Sequence, residues 1–445
     1  MKILRSLHRL NLLLLTVVFS GGVSAGSSGV NSGGSLTTGP SSSAHSMSAA
    51  FNNPAMNSLV MPEDDLWRMS FLPNIGYSME LGQLDNFSED LDDLIDIIDN
   101  SSATTESTDE VLERFNAVLA EMGESGYLKQ SFSLNAPILP LYHRSALLGG
   151  TVGVTLTVEA QVALRILDDT LAFNNQRSSF DTATSLYLKS GIEKTVAMSY
   201  SRRLLSNSNL ISSKSRLYAG LKLKFISLDL SKQIMQLQEL GGKDISDVIS
   251  SEYDENLESN SNVGIDLGFV FDADRYRIGF IFENLNSPEF DYGAVGENCT
   301  SRLENTAART SCENAANFIQ AKGDLNAREV HTKNPLARID GLYRLFSQWY
   351  VSSSIELATY NDITGFDNQW WHAALSYESF RFALPSIRVG YAKNLAGFKT
   401  SSLNFGVTAF NILSFDLEYG LDSVEVDGSS LPRRLSFTFG MEESF

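Results

Sequence analysis

The sequence predicts an all-β fold, an antiparallel transmembrane β-barrel of about fourteen strands. Three observations carry that prediction. Apolar residues recur at every second position in one segment after another. The chain opens with a secretion signal. The links between segments alternate between tight and long. In 415–421, Phe415, Leu417, Tyr419 and Leu421 form one face, and Asp416, Glu418 and Gly420 the other. A soluble sheet shows this alternation once or twice; a dozen such segments describe a barrel with an apolar outside and a polar lumen.

Taken in order, the chain starts with Lys2, Arg5 and Arg9, the short apolar run Leu10–Phe19, and Val23-Ser24-Ala25 before Gly26. This is a signal peptide over 1–25 with a small-residue cleavage site. The run is too short for a typical spanning helix. Residues 26–48, rich in Gly, Ser and Thr, are expected to be flexible, and Phe51-Asn52-Asn53-Pro54-Ala55 lies just beyond them. The barrel is expected to occupy 63–445. Its first strand is expected over Trp67–Glu80.

Residues 84–122 then leave the strand period. Leu91, Leu94, Ile95 and Ile98 have helical spacing among Glu89, Asp90, Asp92, Asp93, Asp96 and Asp99. A second helix carries Val111, Leu112, Phe115, Val118 and Leu119, with Thr108 or Asp109 as its cap. This is an inserted acidic helical pair. The Asp run lacks the spacing and glycine of a calcium-binding EF-hand loop, so a solvated acidic face fits it better.

From Ser145 onward strands dominate, and the count is least defined over 181–237. Charged residues of both signs fall on the polar faces. Arg338, Asp340, Arg344, Glu356, Glu378 and Arg388 are expected to pair in a wet lumen, since unpaired charge in a dry core is costly. Asp272–Asp274, Ser347-Gln348, Ser379-Phe380 and Asn411-Ile412 read as tight turns, and 287–334, 361–367, 395–401 and 422–431 as longer links. Outer-membrane barrels have short periplasmic turns and long external loops. Cys299 and Cys312 fall in the link 287–334. As an even pair in an exported chain they are expected to form one disulfide outside the cell. The chain ends on Phe445 after an alternating strand, which resembles the feature that barrel assembly machinery reads.

Net charge is −19, with 53 acidic against 34 basic residues, which argues against a nucleic-acid partner. No nucleophile elbow, zinc-protease motif, phosphate loop or dinucleotide fingerprint occurs, so neither an enzyme nor a cofactor or metal is expected. The enzymatic alternative would be a barrel hydrolase using His372, Ser376 and Glu378.

Two stretches resemble a known superfamily. Asn53-Pro54-Ala55 resembles the hatch motif of FadL-type outer-membrane transporters, and Arg277–Phe290 resembles a strand followed by Asn-Leu and Pro common to them. Leu72-Pro73-x-Ile75-Gly76 with Asp92–Asp96 is similar to the TraF-like "conjugal transfer" branch. The resemblance implies an N-terminal hatch within 26–62, anchored by Asn53, Pro54 and Ala55 inside an outer-membrane barrel. It also implies passage of a hydrophobic solute, or a role among conjugation or secretion proteins. The alternatives are a non-conducting accessory barrel and, for the tripeptide, an ordinary surface turn. The Gly-rich run that often precedes the hatch motif is here Ala44-His45-Ser46-Met47-Ser48. Partners on this reading are outer-membrane lipid, the assembly machinery and the solute or transfer proteins.

Overall fold

The computed structural model describes residues 34–40, 47–61, 64–70, 74–82, 87–99, 107–135, 140–176, 178–206, 215–237, 253, 255–302, 304, 307–322, 325–379, 381–426 and 429–441. The expected signal peptide, 1–25, and Phe445 lie outside them. Fourteen antiparallel wall strands close into a ring in which every strand pairs with its neighbours in sequence. β1 (Trp67–Met69 and Ile75–Leu81), β2 (Tyr127–Asn135 and Leu141–Ser145), β3 (Gly150–Leu167), β4 (Ser185–Ser206), β5 (Arg216–Gln236), β6 (Leu257–Asp272) and β7 (Tyr276–Glu283) make one side. β8 (Leu336–Phe346), β9 (Trp349–Glu356), β10 (Trp370–Tyr377), β11 (Ser386–Asn394), β12 (Ser401–Ala409), β13 (Leu413–Gly420) and β14 (Arg434–Met441) make the other. The ring closes where β1 pairs with β14, with Ile75 opposite Phe439 and Glu80 opposite Arg434.

The first two strands are each in two pieces. The expected continuous strand from Trp67 to Glu80 is therefore corrected: Pro73 falls between its pieces, and Pro137 and Pro140 fall between those of β2. A proline cannot donate to a ladder. The pieces still match across the break, since Trp67 pairs with His143 and Ile75 with Leu134.

Alternation along the strands sorts side chains between lipid and lumen. Phe405, Phe415, Phe437 and Phe439 are exposed outside, while Asn404, Asp416, Glu418, Ser436 and Thr438 are buried inside. No helix among the described residues is long and apolar enough to cross a membrane. A closed ring leaves no unpaired edge and is the one sheet architecture lipid tolerates. Connections at one end are short, including 273–275, 347–348 and 410–412. Those at the other end are long, including 82–126, 168–184 and 284–335. By the turn-length rule the short-turn end is periplasmic.

The acidic helical pair is α4 (Phe87–Asp99) and α5 (Thr108–Ser125). Its cap is Ser107, one residue before the expected Thr108. The Ser107 hydroxyl accepts from the Glu110 N–H, and the Glu110 carboxylate accepts from the Ser107 N–H, a reciprocal capping box. Leu94, Ile97, Val111, Phe115, Leu119 and Met122 pack on Val162, Ile166, Leu186, Leu188 and Met235, the outward residues of the upper halves of β3, β4 and β5. A further helix, α6 (Ala307–Lys322), lies in the longest link. It carries Cys312, bonded to Cys299 with 5.5 Å between Cα atoms. Its Ala315 and Phe318 pack on Tyr187 and Ile234, which face inward.

Candidate functional site: a plugged lumen

Residues 34–40 and 47–61 lie inside the barrel. This corrects the expectation of flexibility for the Gly- and Ser-rich segment as far as residues 34–40 and 47–48 are concerned. Three short helices form there: α1 (Ser35–Thr38), α2 (Ser48–Asn52) and α3 (Asn57–Val60). A 3-10 turn, Pro54–Met56, joins the last two. Short helices carry many unmatched backbone groups, and here the wall supplies partners.

α1 sits against β10–β13. The Asp416 carboxylate, fully buried, accepts from the Thr37 N–H at 3.2 Å and from the Thr37 hydroxyl. Asp416 is held in turn by Arg388 at 2.6 Å. The Asn404 amide donates to the Leu36 carbonyl at 2.7 Å. A Cβ on Gly390 would fall 2.2 Å from the Thr37 carbonyl oxygen, so only glycine fits there.

The Asn-Pro-Ala tripeptide sits against the opposite wall. Asn53 Oδ1 accepts from the Ala55 N–H at 3.0 Å, which caps the 3-10 turn. Its Nδ2 donates to the Phe269 and Phe280 carbonyls at 3.2 and 3.4 Å. Pro54 has no N–H to satisfy in the first turn, and Ala55 is fully buried. The wall is notched to receive them. Gly220 and Gly268 are register partners on β5 and β6. A Cβ on Gly220 would lie 2.4 Å from Ala55 N, and one on Gly268 2.1 Å from Asn53 Oδ1.

Further on, Asn57 donates to the Ser199 hydroxyl at 2.7 Å, and Ser58 N–H to the Ser201 hydroxyl at 2.8 Å. Met47, Ala49, Ala50, Met56 and Val60 form a small apolar core with Tyr142, Tyr218 and Val270.

Above the plug the lumen is filled by charge pairs. Arg338 meets Glu283 at 2.9 Å and donates to the Asn52 carbonyl at 3.0 Å. Lys224 meets Asp266 at 2.7 Å, and Lys222 donates to the Phe51 carbonyl at 2.5 Å. Arg434 bridges Glu80 and Glu418 at 2.9 and 3.0 Å. A cavity of about 180 Å³ remains, lined by Glu159, Lys222, Asp266, Glu283, Arg338 and Glu356 among others.

Loops fold into the external mouth. Phe290, Tyr292 and Ile363 pack on the inward Ile226, Leu228 and Leu230. Asp362 accepts from the N–H groups of Thr364 and Phe366 at 2.9 and 3.1 Å and from Lys129 at 2.5 Å. Burial alone would raise its pKa; Lys129 and these donors outweigh it and lower the carboxyl to about 2. Beside it His331 is buried, and desolvation brings its imidazole down to about 4.

The charges singled out from sequence take different places. Arg338 and Glu356 are buried in the lumen and Arg388 half-buried there, pairing with neighbouring strands and the plug, and Glu356 accepts from the Trp370 N–H at 2.6 Å. Asp340 is buried on the same face of β8 as Arg338. Arg344 lies at the periplasmic rim, donating to the Asp274 carbonyl at 2.7 Å, and the Glu378 N–H donates to the Gln348 carbonyl at 2.9 Å beside the next turn. His372 and Ser376 are four residues apart on one strand, roughly 13 Å along it, and His372 packs on Gly39 of the plug. Among the described residues no group of three or more His, Cys, Asp or Glu is placed to hold a metal ion.

Comparison with known proteins places these features in context. No curated protein matches the chain. Among solved structures, the toluene transporter TbuX of Ralstonia pickettii matches at 10% identity over 90% of this chain and 94% of its own, with a TM-score of 0.38. The Pseudomonas putida toluene transporter TodX matches at 11% identity over 94% and 96%, with a TM-score of 0.37. A family model described as "F plasmid transfer operon, TraF, protein" matches residues 50–356, which include the Asn-Pro-Ala tripeptide and both wall glycines of its notch. The chain belongs to this TraF family of the F plasmid transfer operon.

Proposed function

We propose that this protein is an outer-membrane barrel gated by its own N-terminal segment, and that the passage it controls is polar. The observation that carries the reading is the double anchorage of the N-terminal segment, at residues 35–38 and 53–58. One end is bonded to Asp416 and Asn404, the other seated in the Gly220–Gly268 notch. A segment fixed on opposite walls obstructs the lumen between them. The lining around it is Lys, Arg, Asp and Glu in pairs, which disfavours an apolar solute, because such a solute cannot match buried charge. A transfer or secretion role is the context that the family suggests. The second reading is an accessory barrel that conducts nothing; the loops folded into the external mouth favour it.

Planar-bilayer conductance separates the two. The refolded parent should be silent. Deletion of residues 26–62 should open steady, ion-carrying channels, and Gly268→Val, which drives a side chain into Asn53, should open them intermittently. A folded, heat-modifiable deletion variant that stays silent would sink the gate and leave the accessory reading.

A further inference from the structure

Below the plug, at the periplasmic mouth, lies a second cavity of about 650 Å³. Its lining includes Arg144, Arg202, Arg203, Arg216 and Arg277, with Ser58 from the plug, and no carboxylate. Strand period places four of these arginines on the lumen face. Arg144 follows buried Tyr142 by two positions, Arg203 follows buried Ser201 by two, and Arg216 precedes buried Tyr218 by two. Arg277 points the same way, since it donates to Asp272 at 2.7 Å together with Arg216 at 3.0 Å. Arg144 donates to the Met61 carbonyl at 3.1 Å.

Asp272 therefore serves two of the five guanidiniums. Among the described residues no carboxylate pairs with Arg202 or Arg203, and the strand-to-strand links 146–149 and 207–214 contain no acidic residue; the nearest acidic run in sequence is Glu63-Asp64-Asp65, which follows Met61 on the way to β1. Elsewhere in the lumen basic groups meet carboxylates at close range, in a chain whose net charge is −19. A concentration of guanidiniums against that background is a local property of this cavity. Guanidinium forks match oxyanions bidentately and stay charged at any working pH.

We propose that this vestibule binds a small soluble oxyanion of two or more charges, entering from the periplasm and docking on Arg203 beneath the plug, with Arg202 beside it at the cavity's rim. Phosphate esters and polycarboxylates share that chemistry. The site does not depend on the plug acting as a gate, since it is complete with the plug in place.

The test is calorimetric titration of the full chain, folded in a non-ionic detergent, with pyrophosphate, with citrate, and with sodium chloride at matched ionic strength. At least one of the two oxyanions should bind at one site, and which one does identifies the source. The double variant Arg202→Gln, Arg203→Gln should weaken binding by at least about tenfold. Arg381→Gln, an exposed arginine at another periplasmic turn, should leave it unchanged. The variants' folding is checked by heat-modifiable migration. Binding no tighter than chloride, equal binding by the double variant, or equal loss in Arg381→Gln would overturn the proposal. So would binding of an acidic peptide when neither small anion binds.

Discussion

The two sides of the barrel wall obey one side-chain period and meet different surroundings. On the short side, β9, β13 and β14 are each eight residues long, and their outward Val351, Phe415 and Phe437 stand 40–45% exposed. On the tall side, β4 and β5 run 22 and 21 residues. A lipid core needs only about ten residues of a tilted strand, so their upper halves project beyond it. There the outward Leu186, Leu188 and Met235 are buried under the helical pair, and the inward Tyr187 and Ile234 under α6. An apolar outward residue thus signals lipid in one place and a protein layer in the other. What separates them is strand length, because lipid supplies a partner only over the thickness of the bilayer.

The contrast yields a graded set of expectations. The largest concerns Phe115→Ala. This side chain is fully buried between α5 and the tall wall, and removing it should cost about 3–5 kcal/mol. Limited proteolysis should then release the helical pair while heat-modifiable migration persists; loss of the barrel itself would show that the layers are not separable. Next comes Phe405→Arg on the short side. A cation at mid-bilayer costs about 2–4 kcal/mol, and the variant should lower folding stability in lipid vesicles without loosening the helices.

Acid should act on the tall side's mouth. His331 titrates at about 4 in the fold against 6.5 ordinarily. Between those values the unfolded chain binds more protons, so stability falls as pH drops through 6.5 toward 4, by up to about 3 kcal/mol. Asp362, lowered from 3.8 to about 2, adds its loss only below pH 4. Hydrogen exchange in 329–332 and 360–366 should rise at pH 4.5, and His331→Phe should flatten the response. The smallest effect is expected for Phe415→Ala, about 1–2 kcal/mol, since lipid chains refill the space on the short side and only the transfer of the ring into lipid is lost, whereas a packed protein layer would also leave a cavity. A cost comparable to that of Phe115→Ala would break the comparison.

The same contrast explains what was legible in the sequence. The short strands could be read because each outward residue is apolar and each inward one polar, as in Phe415–Gly420. Over 226–235 every residue but Ser227 is buried, on both faces, so apolar residues such as Leu228 and Leu230 fall on the inward face and the signal of two environments is lost. The helical pair was legible from its period, although Ser107 rather than Thr108 supplies the cap. In the lumen, charge could be located but not its partners. Arg338 and Arg388 were visible as inward cations; Glu283 and Asp416 were not assigned to them, because pairing depends on register between strands. Gly220 and Gly268 are the clearest omission. A glycine inside a strand reads as a weak spot, and only their direct opposition across β5 and β6 makes a notch.

The anchorage of the plug also constrains how the molecule is assembled. Thr37 bonds to Asp416, 379 positions away, and Leu36 to Asn404, 368 away. The earliest part of the barrel's contents thus waits for strands that are made last. Bringing such remote segments together carries a large loop-closure cost and is slow. The ring closes by pairing β1 with β14, immediately beside those late strands, and a segment outside a completed ring would have to be threaded in. Seating of the plug and sealing of the seam are then one concerted step. Residues 34–40 and 47–61 are thus enclosed as the wall closes, whatever they go on to do in the finished barrel.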